Sequence, residues 1–307
     1  MAKKISIVIP VLNEGKNIAV VYTSLKDLFP TGIGYSFELL FIDDGSTDDT
    51  LKNIKQITCV DPDVLFVSFS RNFGKDNALC AGLRKSTGNA VITMDADMQH
   101  SPILIKELLE KWENGYEVIY YYREIKSGMN VFSSAFYKIL NMLSDVKLEN
   151  GISDFRLLDR KVVNALGQIT EANLFFRGLV KWIGFKQLGL PYEPEERNSG
   201  NSTYKTRMLV RLAVNSIISF STKPLIIAIY LGFIFSLLSA LFIPYAIYSK
   251  IHHLAISGWA SVIVTIAFFG GLNLMILGIV GLYLGKTFMQ GKNRPLYIVS
   301  ESNIESV

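Results

Sequence analysis

Two acidic clusters are the residues best suited to chemistry. Asp43 and Asp44 close the apolar run FELLFIDDG, and Asp95 and Asp97 close AVITMDAD. In MDADMQH, residues 94–100, Asp95, Asp97 and Gln99 alternate. If that segment is extended, the three side chains share one face. Their hard oxygen donors suit Mg²⁺ or Mn²⁺ holding a diphosphate. Spacing alone reads equally well as a solvated turn that caps the following helix, SPILIKELLEKW. The chain has no GxxxxGK[ST] or GxGxxG phosphate loop and no GxSxG elbow, so ATP hydrolysis, nicotinamide chemistry and elbow-type acyl transfer lose their best support. Cys59 and Cys80 are too few for a disulfide framework or a four-ligand zinc site and read as packed thiols. With 31 basic against 27 acidic residues, a net charge of +4 gives no support to a nucleic-acid partner.

The elements that must position these acids alternate in type. ISIVIPV (5–11), FELLFIDDG (37–45), VLFVSF (64–69) and AVITMDAD (90–97) read as buried strands. NIAVVYTSLKDLF (17–29), TDDTLKNIKQI and DNALCAGLRKS (76–86) read as helices between them. The pattern predicts an α/β fold with a mostly parallel sheet covered by helices. Ligands bind such sheets at the carboxyl ends of the strands, which is where the acids stand.

The rest of the chain has another character. The mean hydropathy of +0.29 is high for a soluble enzyme, and the excess sits at the back. No Asp, Glu, Lys or Arg occurs from Pro224 to Ser249 or from Leu254 to Gly285. Each run exceeds the roughly 20 residues needed to span a bilayer as a helix, with cores near 225–247 and 261–285. Arg207, Arg211 and Lys223 precede the first run, Lys286, Lys292 and Arg294 follow the second, and the connection carries only Lys250. The positive-inside rule then puts both termini in the cytoplasm, with no N-terminal signal peptide. TYKTRMLVRLAVNSIISF (203–220) reads as an amphipathic interfacial helix. Gly270, Gly271, Gly278, Gly281 and Gly285 permit close packing, either between the two spans or between copies in a homo-oligomer. The organisation expected is a catalytic domain over 1–202, an interfacial helix over 203–222, a two-helix membrane hairpin over 223–286 and a cytoplasmic tail over 287–307.

Seven segments carry a family resemblance: VIPVLNE (8–14), FIDDGSTDDT (41–50), SRNFGKDNALCAGL (70–83), MDADMQH (94–100), SDFRLLDRKV (153–162), FFRGLVKWIGF (175–185) and SFSTKPL (219–225). In this order, with the two-run tail, they resemble the polyprenyl-phosphate glycosyltransferases of glycosyltransferase family 2. That group includes dolichyl-phosphate mannose synthases and bacterial bactoprenol glucosyltransferases, and the tail looks most like the bactoprenol branch.

The resemblance implies a GT-A (Rossmann-like) catalytic domain. It places Pro10, Val11, Asn13, Glu14, Asp43, Asp44, Arg71, Lys75, Asp95 and Ala96 about a nucleotide. It assigns Asp95, Asp97 and Gln99 to a divalent metal, and Asp154, Arg156 and Asp97 to catalysis. Candidates for an acceptor phosphate are Arg123, Arg177, Arg197 and Lys205. Thr203 stands where the family pattern usually has lysine, with Lys205 just beyond. The implied reaction is inverting transfer of a sugar, UDP-glucose being the favoured donor, to undecaprenyl phosphate at the inner membrane. A protein or glycan acceptor, or a noncatalytic scaffold that binds nucleotide sugar or lipid, are the alternatives. A lipid phosphate is largely anionic near neutral pH and needs no strong base, so Asp154 reads either as a base or as a positioning group.

Overall fold

The computed structural model describes residues 3–28, 34–123, 152–171, 175–192, 221–251 and 258–304. They fall into two compact units. The first holds the described residues up to Tyr192 together with those from Arg294 onward, and the second holds those between Ser221 and Asn293.

The first unit is built on one sheet. Its strands are β1 (Lys3–Val11), β2 (Tyr35–Asp43), β3 (Val64–Phe69), β4 (Ala90–Thr93), β5 (Val118–Arg123), β6 (Ile152–Asp159), β7 (Gln187–Tyr192) and β8 (Val299–Ser302). Their order across the sheet is β7-β5-β6-β4-β1-β2-β3-β8. β4, β1, β2 and β3 run parallel, as expected. β6 pairs antiparallel with both β4 and β5, and β8 antiparallel with β3. β1 is central, and Ile5, Ile7, Val8 and Ile9 are fully buried. It is covered on both faces, hence the near-continuous apolar run.

The connecting helices are α1 (Ile18–Leu28), α2 (Thr50–Thr58), α3 (Lys75–Lys85), α4 (Ile105–Glu113), α5 (Arg160–Gly167) and α6 (Phe176–Trp182). α3 lies directly on β1 and β2. A Cβ on Gly82 would come within 2.2 Å of Val8 Cγ1, so only glycine lets the helix approach this closely.

One local expectation fails. The strand through Asp97 ends at Thr93, and residues 94–100 are not extended. After Met94 N–H bonds Val8 carbonyl at 3.0 Å, the chain turns. Gln99 N–H then donates to Asp97 Oδ1 at 3.2 Å, and Met98 adopts φ 55. The three donors therefore come together around a turn, not on one face of a strand.

The second unit contains α7 (Lys223–Ile251) and α8 (Trp259–Gly291). Both apolar cores named above are helical. Among the described residues one segment, Val264–Gly291, is long and apolar enough to cross a membrane, with a mean hydropathy of 2.0, while the qualifying apolar stretch of α7, Lys223–Phe235, is shorter. Phe235 meets Phe268 and Phe269 edge-on, with centroids 5.9 and 5.4 Å away. A Cβ on any of the six α8 glycines would meet nothing within 4 Å among the described residues. The expected interfacial segment up to residue 220 lies outside the described residues, as do Arg197, Lys205 and Arg211.

Candidate active site

A cleft of about 540 Å³ opens at the carboxyl ends of β1, β2 and β4. It is lined by Pro10, Val11, Glu14, Asp44, Lys75, Asp95, Ala96, Asp97, Gln99, Asp154 and Arg177. Most of the residues singled out from the sequence are thus brought together. Asn13, Asp43, Arg71 and Arg156 do not line it. Arg123 ends β5, paired with Tyr192.

The rim is assembled from short loops tied to one another. Asn13 sits at φ 56, which asparagine tolerates. Its N–H donates to Ser46 Oγ at 2.9 Å, and its Oδ1 accepts from Thr47 N–H at 2.9 Å. Asp43 is buried and accepts from Ser68 Oγ at 2.7 Å and Ser46 N–H at 3.0 Å. These two residues shape the wall without facing the cleft. Asp44 accepts from the N–H groups of Phe73 and Gly74 at 2.6 and 2.9 Å. Burial lifts its carboxyl above the ordinary value, and those two N–H groups counter only part of the lift. Arg71 folds back on its own loop, with its guanidinium 4.0 Å from the centroid of the Phe73 ring.

The floor is a charge cluster. Asp154, on β6, is 5% exposed and is gripped by three cations. Arg177 donates Nε and Nη2 to its two oxygens at 2.7 and 2.8 Å. Lys75 Nζ lies 2.8 Å from Asp154 Oδ2 and 2.6 Å from Asp95 Oδ1, bridging β6 and the turn after β4. Arg156 Nη2 lies 3.5 Å from Asp154 Oδ1. Burial works against the Asp154 charge, but the Arg177 hydrogen bonds and the neighbouring cations outweigh it and hold the carboxyl far below the usual range. The Lys75 ammonium is likewise raised, because Asp95 and Asp154 more than offset its desolvation.

Arg156 is 2% exposed, donates to Ser153 carbonyl at 2.8 Å and lies 5.2 Å from the Phe176 ring centroid. Burial lowers its pKa to about 10. It supports Asp154 from beneath. Asp76, in the first turn of α3, was not singled out from the sequence. Burial and the Asp154 charge push its carboxyl up to about 6.

His100 is 5% exposed and lines the cleft. Its Nε2 lies 2.9 Å from Ser153 Oγ, and its ring packs between Phe155 and Tyr192. Tyr192, Asn72 and Ser153 also line the cleft. Asn72 had a signal in the RNFGK segment, whereas Tyr192 had none, because only sheet pairing brings β7 alongside β5.

The residues that could hold a divalent ion are Asp97 and Gln99, flanked by Asp95. Among the described residues no group of three His, Cys, Asp or Glu side chains converges as a self-sufficient cage. The carboxylates and side-chain amide of this set suit Mg²⁺ or Mn²⁺, since such ions take one or two carboxylates and complete their shell with substrate phosphates and water. Glu14 also faces this pocket. Its carboxyl is raised by burial and by the charges of Asp97, Asp95 and Asp48, against a hydrogen bond from Asn17.

Comparison with known proteins gives this geometry a context. The model of the glycosyl transferase family 2 matches residues 6–181. CsbB of Bacillus subtilis (strain 168) is 41% identical over 305 residues, covering 98% of this chain and 92% of that protein. The bactoprenol glucosyl transferase of Shigella phage SfII is 37% identical over 305 residues, covering 98% of each. Among solved structures, the mannosyltransferase PcManGT of Pyrobaculum calidifontis, in complex with GDP-Man and Mn²⁺, superposes with a TM-score of 0.52 at 15% identity. It covers 95% of this chain and 85% of that one, a likeness of fold. The sheet, the acid-lined cleft at its carboxyl edge and the extent of these matches agree: the chain belongs to glycosyl transferase family 2 and is a glycosyltransferase.

Proposed function

We propose that this enzyme moves a hexose, with inversion, from a UDP-sugar to a polyprenyl phosphate of the undecaprenyl type, with UDP-glucose the favoured donor. The observation that carries this reading is the state of Asp154. Both its oxygens are taken by Arg177 and Lys75, and its carboxyl is held strongly acidic. Such a group is a poor proton acceptor, so the site suits a nucleophile that needs no base. A phosphate monoester, with a second pKa near 6, is that nucleophile. A sugar or protein hydroxyl is not. The name of the Shigella phage relative points to the same acceptor class.

The cleft residues divide the work. Asp44 and the Asn72–Gly74 loop face the nucleoside end, and Lys75 stands beside the diphosphate. Asp97 and Gln99 would hold Mg²⁺ or Mn²⁺, which supplies charge neutralisation for the departing diphosphate. Arg177 is 43% exposed and spends its Nε and Nη2 on Asp154. Its remaining N–H groups, which meet no partner among the described residues, would receive the acceptor phosphate, to which Arg197 and Lys205 add charge. Asp154 is then a positioning group that fixes Arg177 and Lys75 on opposite sides of the reacting centre.

The lipid acceptor calls for a membrane surface. α7 and α8 are read as a two-span hairpin, with the catalytic unit and both termini cytoplasmic, on the apolar runs and the placement of basic residues described above. The test is a donor screen in detergent with undecaprenyl phosphate and Mn²⁺ or Mg²⁺, read by mass spectrometry of the lipid. Glycosylated lipid from wild type, lost in Asp97→Ala, is the expected result. Transfer to a protein or glycan but not to lipid phosphate would sink the acceptor assignment.

A further inference from the structure

The residues that follow α8 return to the first unit. β8 adds an antiparallel edge to β3, with Glu301 opposite Ser68 and Val299 opposite Phe69. Asn303 clamps the start of β3: its Oδ1 accepts from Phe66 N–H at 2.7 Å and its Nδ2 donates to Val64 carbonyl at 3.1 Å. Lys55 and Glu301 form an ion pair across the same edge. Beyond the strand, Ser70 N–H donates to Ile298 carbonyl at 3.0 Å. The pairing thus reaches into the loop that leads to Lys75.

Tyr297 continues it with a side chain. Its ring stacks on Phe69, centroids 4.8 Å apart and planes at 14°. Phe69 in turn meets Phe73 edge-on at 5.8 Å and 89°, and Phe73 carries the Arg71 guanidinium. The Tyr297 hydroxyl also lies within electrostatic reach of Arg84, near the far end of α3. One residue of the tail therefore packs on the strand before the loop and stands near the helix after it. On the opposite side the loop is clasped by Asp44, which accepts from Phe73 and Gly74 N–H. Gly45 completes the clasp: at φ +73, a Cβ there would lie 2.4 Å from the Arg71 carbonyl carbon.

We propose that Tyr297 is a positioning residue for the donor site. It braces the Arg71–Gly74 loop and α3 from the C-terminal tail, so that the Phe73 and Gly74 N–H groups stay in register with Asp44 and Lys75 stays in the cleft. The consequence for donor binding rests on reading the cleft as a nucleotide-diphosphate site. The brace is independent of that reading. The tail is thus a wall element of the catalytic unit, joined by only a few residues to the end of a long apolar helix.

The experiment uses the full-length protein in detergent, as wild type, Tyr297→Ala and Tyr297→Phe. It measures amide hydrogen exchange by residue and UDP affinity with Mn²⁺. Aromatic pairs of this kind support a change of about 3- to 10-fold. Tyr297→Ala is expected to speed exchange at Phe73 and Gly74 and to weaken UDP by that factor. Exchange in β1 should stay unchanged, and kcat at saturating donor should stay within about twofold. Tyr297→Phe keeps the stack and should restore most of both. Unchanged exchange at Phe73 and Gly74 in Tyr297→Ala would overturn the brace, as would faster exchange throughout β1 that Tyr297→Phe does not repair. Wild-type protein that binds no UDP would instead overturn the nucleotide reading, while the exchange data still decide the brace.

Discussion

Replacing Asp154 by Asn tests the charge cluster and the absence of a base together. The substitution keeps size and shape but removes the one anion on which Arg177, Lys75 and Arg156 converge. Removing one partner of a buried ion pair costs about 3–5 kcal/mol. Arg177 and Lys75 are each 43% exposed and regain much of their hydration, whereas Arg156, at 2%, does not. The lower end, about 3 kcal/mol, is therefore expected. For a cooperative unit of this size that corresponds to a fall of about 6–12 °C in Tm.

The sign with pH follows from the direction of the Asp154 shift. A carboxyl held below its unfolded value stabilises the fold fully above that unfolded value, near 4, and loses the contribution only as pH falls further toward the native value. The Tm gap between wild type and Asp154→Asn should therefore be flat from pH 5 to pH 8 and narrow below pH 4. Catalysis gives the second readout. If the acceptor phosphate attacks unaided, the acid limb of kcat/KM follows its second pKa near 6 and survives in the residual activity of Asp154→Asn. Thermal unfolding in detergent and a pH–rate profile measure both. A Tm gap that opens only above pH 6, or an acid limb abolished by the substitution while the fold is intact, would refute the cluster argument and restore Asp154 as the base.

Asp76 makes the opposite case, since burial and the Asp154 charge raise its carboxyl to about 6. Such a group penalises the fold above its native value and not below its unfolded one. Asp76→Asn should therefore raise Tm at pH 8, by up to about 3 kcal/mol in stability, and leave it unchanged at pH 4. Equal effects at both pH values would show that Asp76 acts by packing alone. Gly45→Ala forces a Cβ to within 2.4 Å of the Arg71 backbone at φ +73. It should cost about 1–3 kcal/mol and weaken UDP binding, because the Arg71–Gly74 loop must move, and unchanged affinity with unchanged Tm would contradict the clasp.

The alternating apolar runs of the front half determined the parallel strands β1 to β4, because strands buried on both faces must be continuously apolar. Acids at the ends of those runs marked the cleft, since polar groups escape burial where a buried strand stops. Long uncharged stretches likewise dictated the helices α7 and α8, which satisfy their own backbone hydrogen bonds. What the tertiary structure alone decided depends on pairing between distant segments. Extended geometry was the natural reading of Asp95 to Gln99, yet the strand stops at Thr93 and a turn gathers the same donors. The roles of Asp154 and Lys75 appeared only when β6 paired antiparallel with β4 and α3 brought its N-terminus between them. Nothing local distinguishes Tyr297 or β8, whose short segment VSES has little intrinsic strand character. The unpaired N–H and C=O groups on the edge of β3 recruit it, and an edge has no sequence signature because it is a property of the assembled sheet.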